Sequence, residues 1–216
     1  MNGIAVFYHT IFSDGSRPID TSYACHIMLS QMKALRTSGL LAAAAQMTIG
    51  VNGGAADVQI ARLFAPCQAR IVAHGEKATT EIPTLNLLRQ WLPGHTDWRV
   101  LYFHMKGVTH PWLPSDMAWR ERMEQACIWG WRTCLNDLAC GTDVCGCHWL
   151  SPEQYPGQVA APFFGGTFWF ANSNYLMTLP PLPPATWENR YEAERWIGHC
   201  PGRPRVKDYF PGWPPI

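Results

Sequence analysis

The chain has 216 residues, 47% of them hydrophobic and 12% aromatic, and a formal net charge of +1. That length predicts one domain, or one with a small elaboration, and enough apolar content for a sizeable core. The near-neutral balance excludes a strongly electrostatic nucleic-acid binder, though not a nucleic-acid substrate held by other means.

A short apolar run, 4–8, reads as a buried strand, and the polar stretch 9–21 as the loop leaving its carboxyl end. Over 23–38, Ile27, Leu29, Met32 and Leu35 recur at helical spacing, with Gly39 as the C-cap. A strand at 47–51 closes on Asn52-Gly53-Gly54, and a short helix follows over 57–64. A third strand, 69–73, ends at His74-Gly75-Glu76. Pro83 marks the start of a helix at 84–91. The fourth strand, 98–104, runs into Met105-Lys106-Gly107. The longest helical pattern, 117–138, carries Arg120, Arg122 and Arg132. Strands at 143–149 and 163–171 follow, and the proline-rich stretches 180–184 and 211–215 read as a rigid connector and a tail. Strands alternating with helices predict an α/β fold with a mostly parallel, helix-covered sheet.

Nothing at Met1-Asn2-Gly3 has the charge that opens a secretion signal. The longest apolar run, 39–51, is interrupted by Gln46 and Thr48 and is too short for a bilayer. The expectation is a cytoplasmic chain with no transmembrane segment, its eight cysteines present as thiols. Cys140, Cys145, Cys147 and His148 form a C-x4-C-x-C-H cluster. That is neither a finger nor a ribbon spacing, so ordinary buried or half-buried thiols are the first expectation, with a structural zinc left open.

In sheets of the expected kind, ligands gather beyond the carboxyl ends of the strands. This puts His9, Thr10, Asn52, Gly53, Gly54, Glu76, His104, Lys106 and Gly107 on one rim. Eleven tryptophans, concentrated in the second half, give that half a different character. There Gly165-Gly166 lead into Phe168, Trp169 and Phe170, and after a proline break comes Arg190-Tyr191-Glu192-Ala193-Glu194-Arg195-Trp196. Glycines let a ligand approach the backbone, an indole offers a flat apolar platform, and a carboxylate takes a hydroxyl proton. Glu192 and Glu194 are two apart and face different directions on a helix, so one of them reaches the site. Glu192, following Tyr191 at the helix start, is the narrow preference.

In order along the chain, the pieces at 4–9, 50–53, Tyr102-Phe103-His104-Met105-Lys106-Gly107, Trp119-Arg120, 165–179 and 190–197 resemble those of a small GT-A-like nucleotide-sugar glycosyltransferase. The likeness is to compact bacterial and phage members that carry Tyr/His-x-His-x-Lys-Gly where larger relatives have an acidic D-x-D. It spans nearly the whole chain. It implies a single GT-A-like (Rossmann-like) domain, with 1–110 binding the nucleotide sugar and 111–216, Pro-rich tail included, binding the acceptor. The implied enzyme is hexosyltransferase-like. Its donor would be a nucleotide-diphosphate sugar, a UDP-sugar first, and its acceptor a surface glycan or a hydroxymethylated base of phage DNA.

On that resemblance His9, Thr10, Asn52, Gly53, Glu76, His104, Lys106 and Gly107 border the donor and its diphosphate. Gly165, Gly166, Trp169, Asn172 and Arg190 border the acceptor, and Glu192 or Glu194 is the catalytic base. The chain departs from the larger relatives in having no D-x-D at a strand end, since Asp137 and Asp143 are isolated. A divalent metal is therefore left open. Lys106, His104 and His110, with the N–H of Gly107, can instead meet the charge of a departing diphosphate. A basic stretch, Arg203, Arg205 and Lys207, would favour a nucleic-acid acceptor. Two other readings stay open. One is a glycoside hydrolase using two of Glu192, Glu194, Asp143 and Asp208; the other is a non-catalytic nucleotide- or carbohydrate-binding module.

Overall fold

The computed structural model describes residues 3–13, 19–76 and 80–214. Residues 14–18 of the expected 9–21 loop and Pro215 of the expected tail lie outside them. Strand β1 (Ile4–Ile11) runs on past Tyr8 to include His9 and Thr10. Asp20 caps α1 (Thr21–Thr37), its Oδ1 accepting from the Tyr23 N–H at 3.0 Å. Gly39, at φ +78°, turns the chain into the one-turn helix α2 (Leu40–Ala43). Then come β2 (Gln46–Asn52), α3 (Ala55–Phe64), β3 (Arg70–Gly75), α4 (Ile82–Trp91) and β4 (Arg99–His104), in the order the sequence predicts.

The expected helix 117–138 is broken. It consists of α5 (Pro114–Glu124), a π turn over Gln125–Trp129 and α6 (Trp131–Ala139). Gly130 permits the wide turn: its N–H bonds Gln125 O at 2.9 Å, five residues back, and a Cβ there would lie 2.6 Å from Ala126 O.

The two later strands are also split. The expected 143–149 is β5 (Val144–Gly146) and β6 (Trp149–Leu150), separated by His148 at φ +60°. The expected 163–171 is β7 (Phe163–Phe164) and β8 (Trp169–Asn172), with Gly166 at φ +87° and Thr167 at φ +55° between them. Those left-handed residues let the chain leave a small β6–β7 sheet and enter the main one. After α7 (Ser173–Leu176) and α8 (Arg190–Arg195), the basic stretch forms a strand that pattern did not predict, β9 (Val206–Asp208). Polar and edge-lying, it has no apolar alternation to announce it.

The main sheet has the order β3-β2-β1-β4-β8-β5-β9, and every strand but β8 runs the same way. It is the mostly parallel α/β domain expected. Alternation along the strands feeds two cores: Tyr8 and Phe103 pack with α1 and the π turn, while Phe7 and Tyr102 pack with α4, α7 and α8. The proline-rich segments are anchored. Trp196 Nε1 donates to Pro180 O at 2.9 Å, and Pro214 is buried against Gly165. Among the described residues no helix is long and apolar enough to cross a membrane.

Trp169, expected as an acceptor platform, is core. It is 1% exposed and stacks on Tyr102 with ring centroids 5.2 Å apart, so neither indole face meets solvent. Trp169→Ala is therefore expected to cost about 3–5 kcal/mol in urea denaturation, the range for a buried aromatic truncated to alanine. A stability loss under about 1 kcal/mol would place Trp169 outside the core.

Candidate active site

Beyond the carboxyl ends of β1 and β4 the surface opens into two chambers that share three residues, Lys106, His110 and Glu194. The smaller, about 360 Å³, is bounded by Thr80, Glu81, His104 and Gly107 on the sheet side and by Arg190 and Tyr191 opposite. The larger, about 500 Å³, is walled by Trp119, Leu150, Phe163, Gly165 and Trp213. A third groove, about 530 Å³, lies around Trp149, Arg203 and Asp208. Its one half-buried acid is already occupied, Asp208 accepting from Trp149 N at 2.9 Å and Phe210 N at 3.1 Å.

Lys106 is held on all sides. Arg120 Nη1 donates to its carbonyl at 2.7 Å, and Gln31 Nε2 donates to His104 O at 3.2 Å. Gly107 follows at φ +81°, where a Cβ would come within 2.8 Å of Asp116 Cβ. The Lys106 ammonium sits 3.6 Å from the Trp119 ring centroid and 3.9 Å from Asp116 Oδ1. Burial lowers its pKa, with Asp116, Glu194 and Glu81 opposing the fall. The second oxygen of Asp116 takes His110 Nδ1 at 3.0 Å.

His104 Nδ1 lies 2.8 Å from Glu81 Oε1, and the Tyr102 hydroxyl donates to Glu81 Oε2 at 3.0 Å. Burial works to raise the Glu81 pKa, but the charge and hydrogen bond of His104, then His9 and Tyr102, outweigh it, so the carboxyl stays below its usual value. His104 Nε2 is buried without a protein hydrogen-bond partner.

His9 and Thr10, expected to touch the donor, are fully buried and line neither chamber. Thr10 donates to Gly50 O at 3.1 Å. His9 Nδ1 is 2.8 Å from Thr84 Oγ1, which is 2.9 Å from His74 Nε2. Since Thr84 has one hydroxyl proton, one imidazole accepts from it and the other donates. Gly50 makes room for this chain, for a Cβ there would run into Thr84 Oγ1. Asn52 donates to Thr80 O at 3.1 Å, tying β2 to the chamber wall. Gly53 turns the chain beside Asp57, and Glu76 stands exposed over Gly54, outside both chambers. Extending β1 past its predicted end moved His9 and Thr10 from rim to floor.

On α8 the two glutamates point in different directions, as their spacing predicts. Glu192 turns out to Arg195 at 3.1 Å, both side chains about a third exposed (34% and 35%). Glu194 faces the chambers and forms part of the wall of each. Burial pushes its carboxyl above the usual range and Glu81 adds to the rise, against Lys106, His104 and Arg195. Arg190, expected to border the acceptor, lines the smaller chamber and not the larger, its guanidinium 4.4 Å from the Trp187 ring and 4.1 Å from that of Tyr191.

Gly165 lines the larger chamber, its carbonyl accepting from Trp119 Nε1 at 3.3 Å, while Gly166 packs against Met123 and Trp119. Asn172 lies at the far end of the sheet. Opposite Arg99 on β4, it donates to Thr142 O at 2.8 Å. Gly165 and Asn172, both expected to border the acceptor, thus lie apart, with the break at Gly166-Thr167 between them. Sequence reasoning missed Glu81 and Asp116, which sit at or near helix starts where an acid is also an ordinary dipole partner.

Among the described residues no group of three or more His, Cys, Asp or Glu is arranged to hold a metal ion. Of the cleft carboxylates, Glu81 is committed to His104 and Tyr102, and Asp116 to Lys106 and His110. Among the described residues they do not make a divalent-cation cage. Of the C-x4-C-x-C-H cluster, Cys140 is exposed while Cys145 and Cys147 are buried in the core.

The buried histidines set a pH dependence. Burial holds His9 down to about 3 and His74 down to about 4, against about 6.5 in an unfolded chain. Between those values the unfolded chain binds the extra protons, so the contribution of these two histidines to stability is full above about 6.5 and is lost as pH falls toward their folded values. His9→Asn keeps a donor–acceptor at the Nδ1 position and is expected to remove about one proton from the pH slope of the urea midpoint. An unchanged slope would mean that His9 is not buried neutral.

Several solved structures align with the chain at low identity and with TM-scores under 0.5. A "putative nucleotide-diphospho-sugar transferase" from Desulfovibrio desulfuricans G20 aligns over 100% of this chain and 83% of its own, with 12% identity and a TM-score of 0.48. A 4-diphosphocytidyl-2C-methyl-D-erythritol synthase aligns over 82% and 78%, with 12% identity and a TM-score of 0.38. A nucleotidyl transferase from Methanothermobacter aligns over 90% and 85%, with 14% identity and a TM-score of 0.42. No curated protein sequence matches the chain. One family model matches residues 7–204, and the chain belongs to that family, Domain of unknown function (DUF8361).

Proposed function

We propose that the chain is a glycosyltransferase that moves a hexose from a nucleotide-diphosphate donor, a UDP-sugar first, to an acceptor hydroxyl. One observation carries the reading: a half-buried carboxylate, Glu194, stands with Lys106 and His110 in the wall common to two chambers of different character. The smaller chamber offers Lys106, Arg190, His104 and backbone at Gly107 to a diphosphate. The larger offers apolar and aromatic walls to an acceptor.

In the proposed step Glu194 takes the proton from the acceptor hydroxyl. The acceptor oxygen bonds the anomeric carbon as its bond to the diphosphate oxygen breaks, and the diphosphate leaves with the electron pair toward Lys106. Its raised pKa makes Glu194 a stronger base than a solvated glutamate. Burial lowers the proton affinity of Lys106, and a partly buried ammonium stabilises a departing anion more strongly than one in water.

The paired-carboxylate hydrolase reading is less well supported, since it needs two acids straddling one bond. Glu192 faces Arg195, Asp143 pairs with Arg205 at 3.0 Å, and Asp208 is bound by backbone N–H groups.

With a panel of nucleotide sugars, the purified chain is expected to transfer or hydrolyse at least one member; no turnover with any of them sinks the proposal. Glu194→Gln should lower kcat by about 10²–10⁴-fold, the range for a positioned general base. Glu192→Gln, which breaks a surface pair, should change it by no more than about threefold. The reverse ranking would return the base to Glu192. The acid limb of the kcat profile should sit above the ordinary glutamate value of about 4.3 and vanish in Glu194→Gln.

A further inference from the structure

The larger chamber has a chemistry of its own. Leu113, Trp119, Leu150, Phe163, Trp213 and Pro214 form its apolar wall. The polar side chains that reach it are largely spent on one another, Asp116 on His110 at 3.0 Å and on Lys106 at 3.9 Å. Trp119 uses its indole N–H on Gly165 O and one ring face on the Lys106 ammonium. Besides these, Ser115 adds a hydroxyl, and Glu194 faces the space with no ion-pair partner within 4 Å among the described residues. A sugar buried here would lose hydration at each hydroxyl and find few groups to replace it.

A nucleic acid fits no better. The chamber lining brings one lysine and two acids, with no track of cations for a phosphate backbone. A volume of about 500 Å³ lined by three aromatic side chains suits a ring system, which gains both apolar burial and ring-on-ring geometry.

Resting on the transferase reading above, we propose that the acceptor is a small aromatic alcohol. Its ring lies against Trp119, Phe163 and Trp213, and its hydroxyl points to Glu194. The hydroxyl proton passes to the Glu194 carboxylate, the acceptor oxygen joins the anomeric carbon of the nucleotide-bound sugar, and the nucleoside diphosphate departs with the electrons of the broken bond. The product is an aryl or arylmethyl glycoside.

The test is calorimetric, on the full chain with a nucleoside diphosphate present. The probes are naphthalenemethanol, methyl glucoside, nonanol and a DNA duplex carrying hydroxymethylated bases. Naphthalenemethanol is expected to bind at least about tenfold tighter than the other three, the margin that burial of a ring against aromatic walls supplies. Trp213 and Leu113 are 46% and 45% exposed, so Trp213→Ala and Leu113→Ser should keep the wild-type melting transition. Each should weaken naphthalenemethanol by roughly threefold to tenfold.

Equal or tighter binding of methyl glucoside, nonanol or the duplex overturns the proposal, as does an affinity for naphthalenemethanol that neither variant changes. The two readings fail separately. Tight, selective binding with no transfer from any nucleotide sugar removes the transferase and leaves the chamber's preference standing. Transfer to methyl glucoside with no binding of naphthalenemethanol does the opposite.

Discussion

At the end of β4 two backbone carbonyls, those of His104 and Lys106, accept from Gln31 Nε2 at 3.2 Å and Arg120 Nη1 at 2.7 Å. Those donors come from α1 and α5, so the helices on one side of the sheet fix the turn that leaves it. The donors are themselves tied through Glu124, whose Oε1 is 3.2 Å from Gln31 Nε2 and 3.9 Å from Arg120 Nε. Burial raises the Glu124 pKa, against Gln31 and Arg120. A buried group of this kind adds little net stability when complete, and removing one member strands the rest. Its effect is geometric. It holds Lys106 between the two chambers, where a free loop lysine would sample many rotamers.

The same logic sets the division of the cleft. On the sheet side, Glu81 is kept ionised beside His104 by that imidazole and by Tyr102, despite its burial. On the helix side, Glu194 has no such donors and burial drives its proton affinity up. Two carboxylates near one lysine are thus pushed in opposite directions by their surroundings, a pattern that separates a positioning group from a proton acceptor.

Much of the frame was legible in the sequence. The first four strands, α1, α3, α4 and the Met105-Lys106-Gly107 turn all follow from apolar periodicity and glycine placement, which are local signals, while the one-turn α2 was not foreseen. What the sequence could not convey was long-range. Periodicity shows that Glu192 and Glu194 diverge, but the side that meets the cleft is decided by how α8 packs against β7 and α4. Trp169 reads as a platform because a strand has two faces, and only the neighbouring Tyr102 and Trp196 show that its face is inside. The breaks at Gly130, His148 and Gly166-Thr167 lie within apolar runs and are set by backbone geometry that pattern does not carry. Glu81 was invisible because its role depends on His104, 23 positions away in the chain and 2.8 Å away in space.

The central claim is that Lys106 and Glu194 divide a donor chamber from an acceptor chamber. The direct test is a crystal structure of the chain with a nucleoside diphosphate. The diphosphate oxygens should lie about 3 Å from Lys106 Nζ, with the nucleoside on the Glu81–Arg190 side and the Leu150–Phe163 chamber free of it. A nucleotide seated against Phe163 and Trp213, or in the groove by Trp149 and Asp208, would contradict the account.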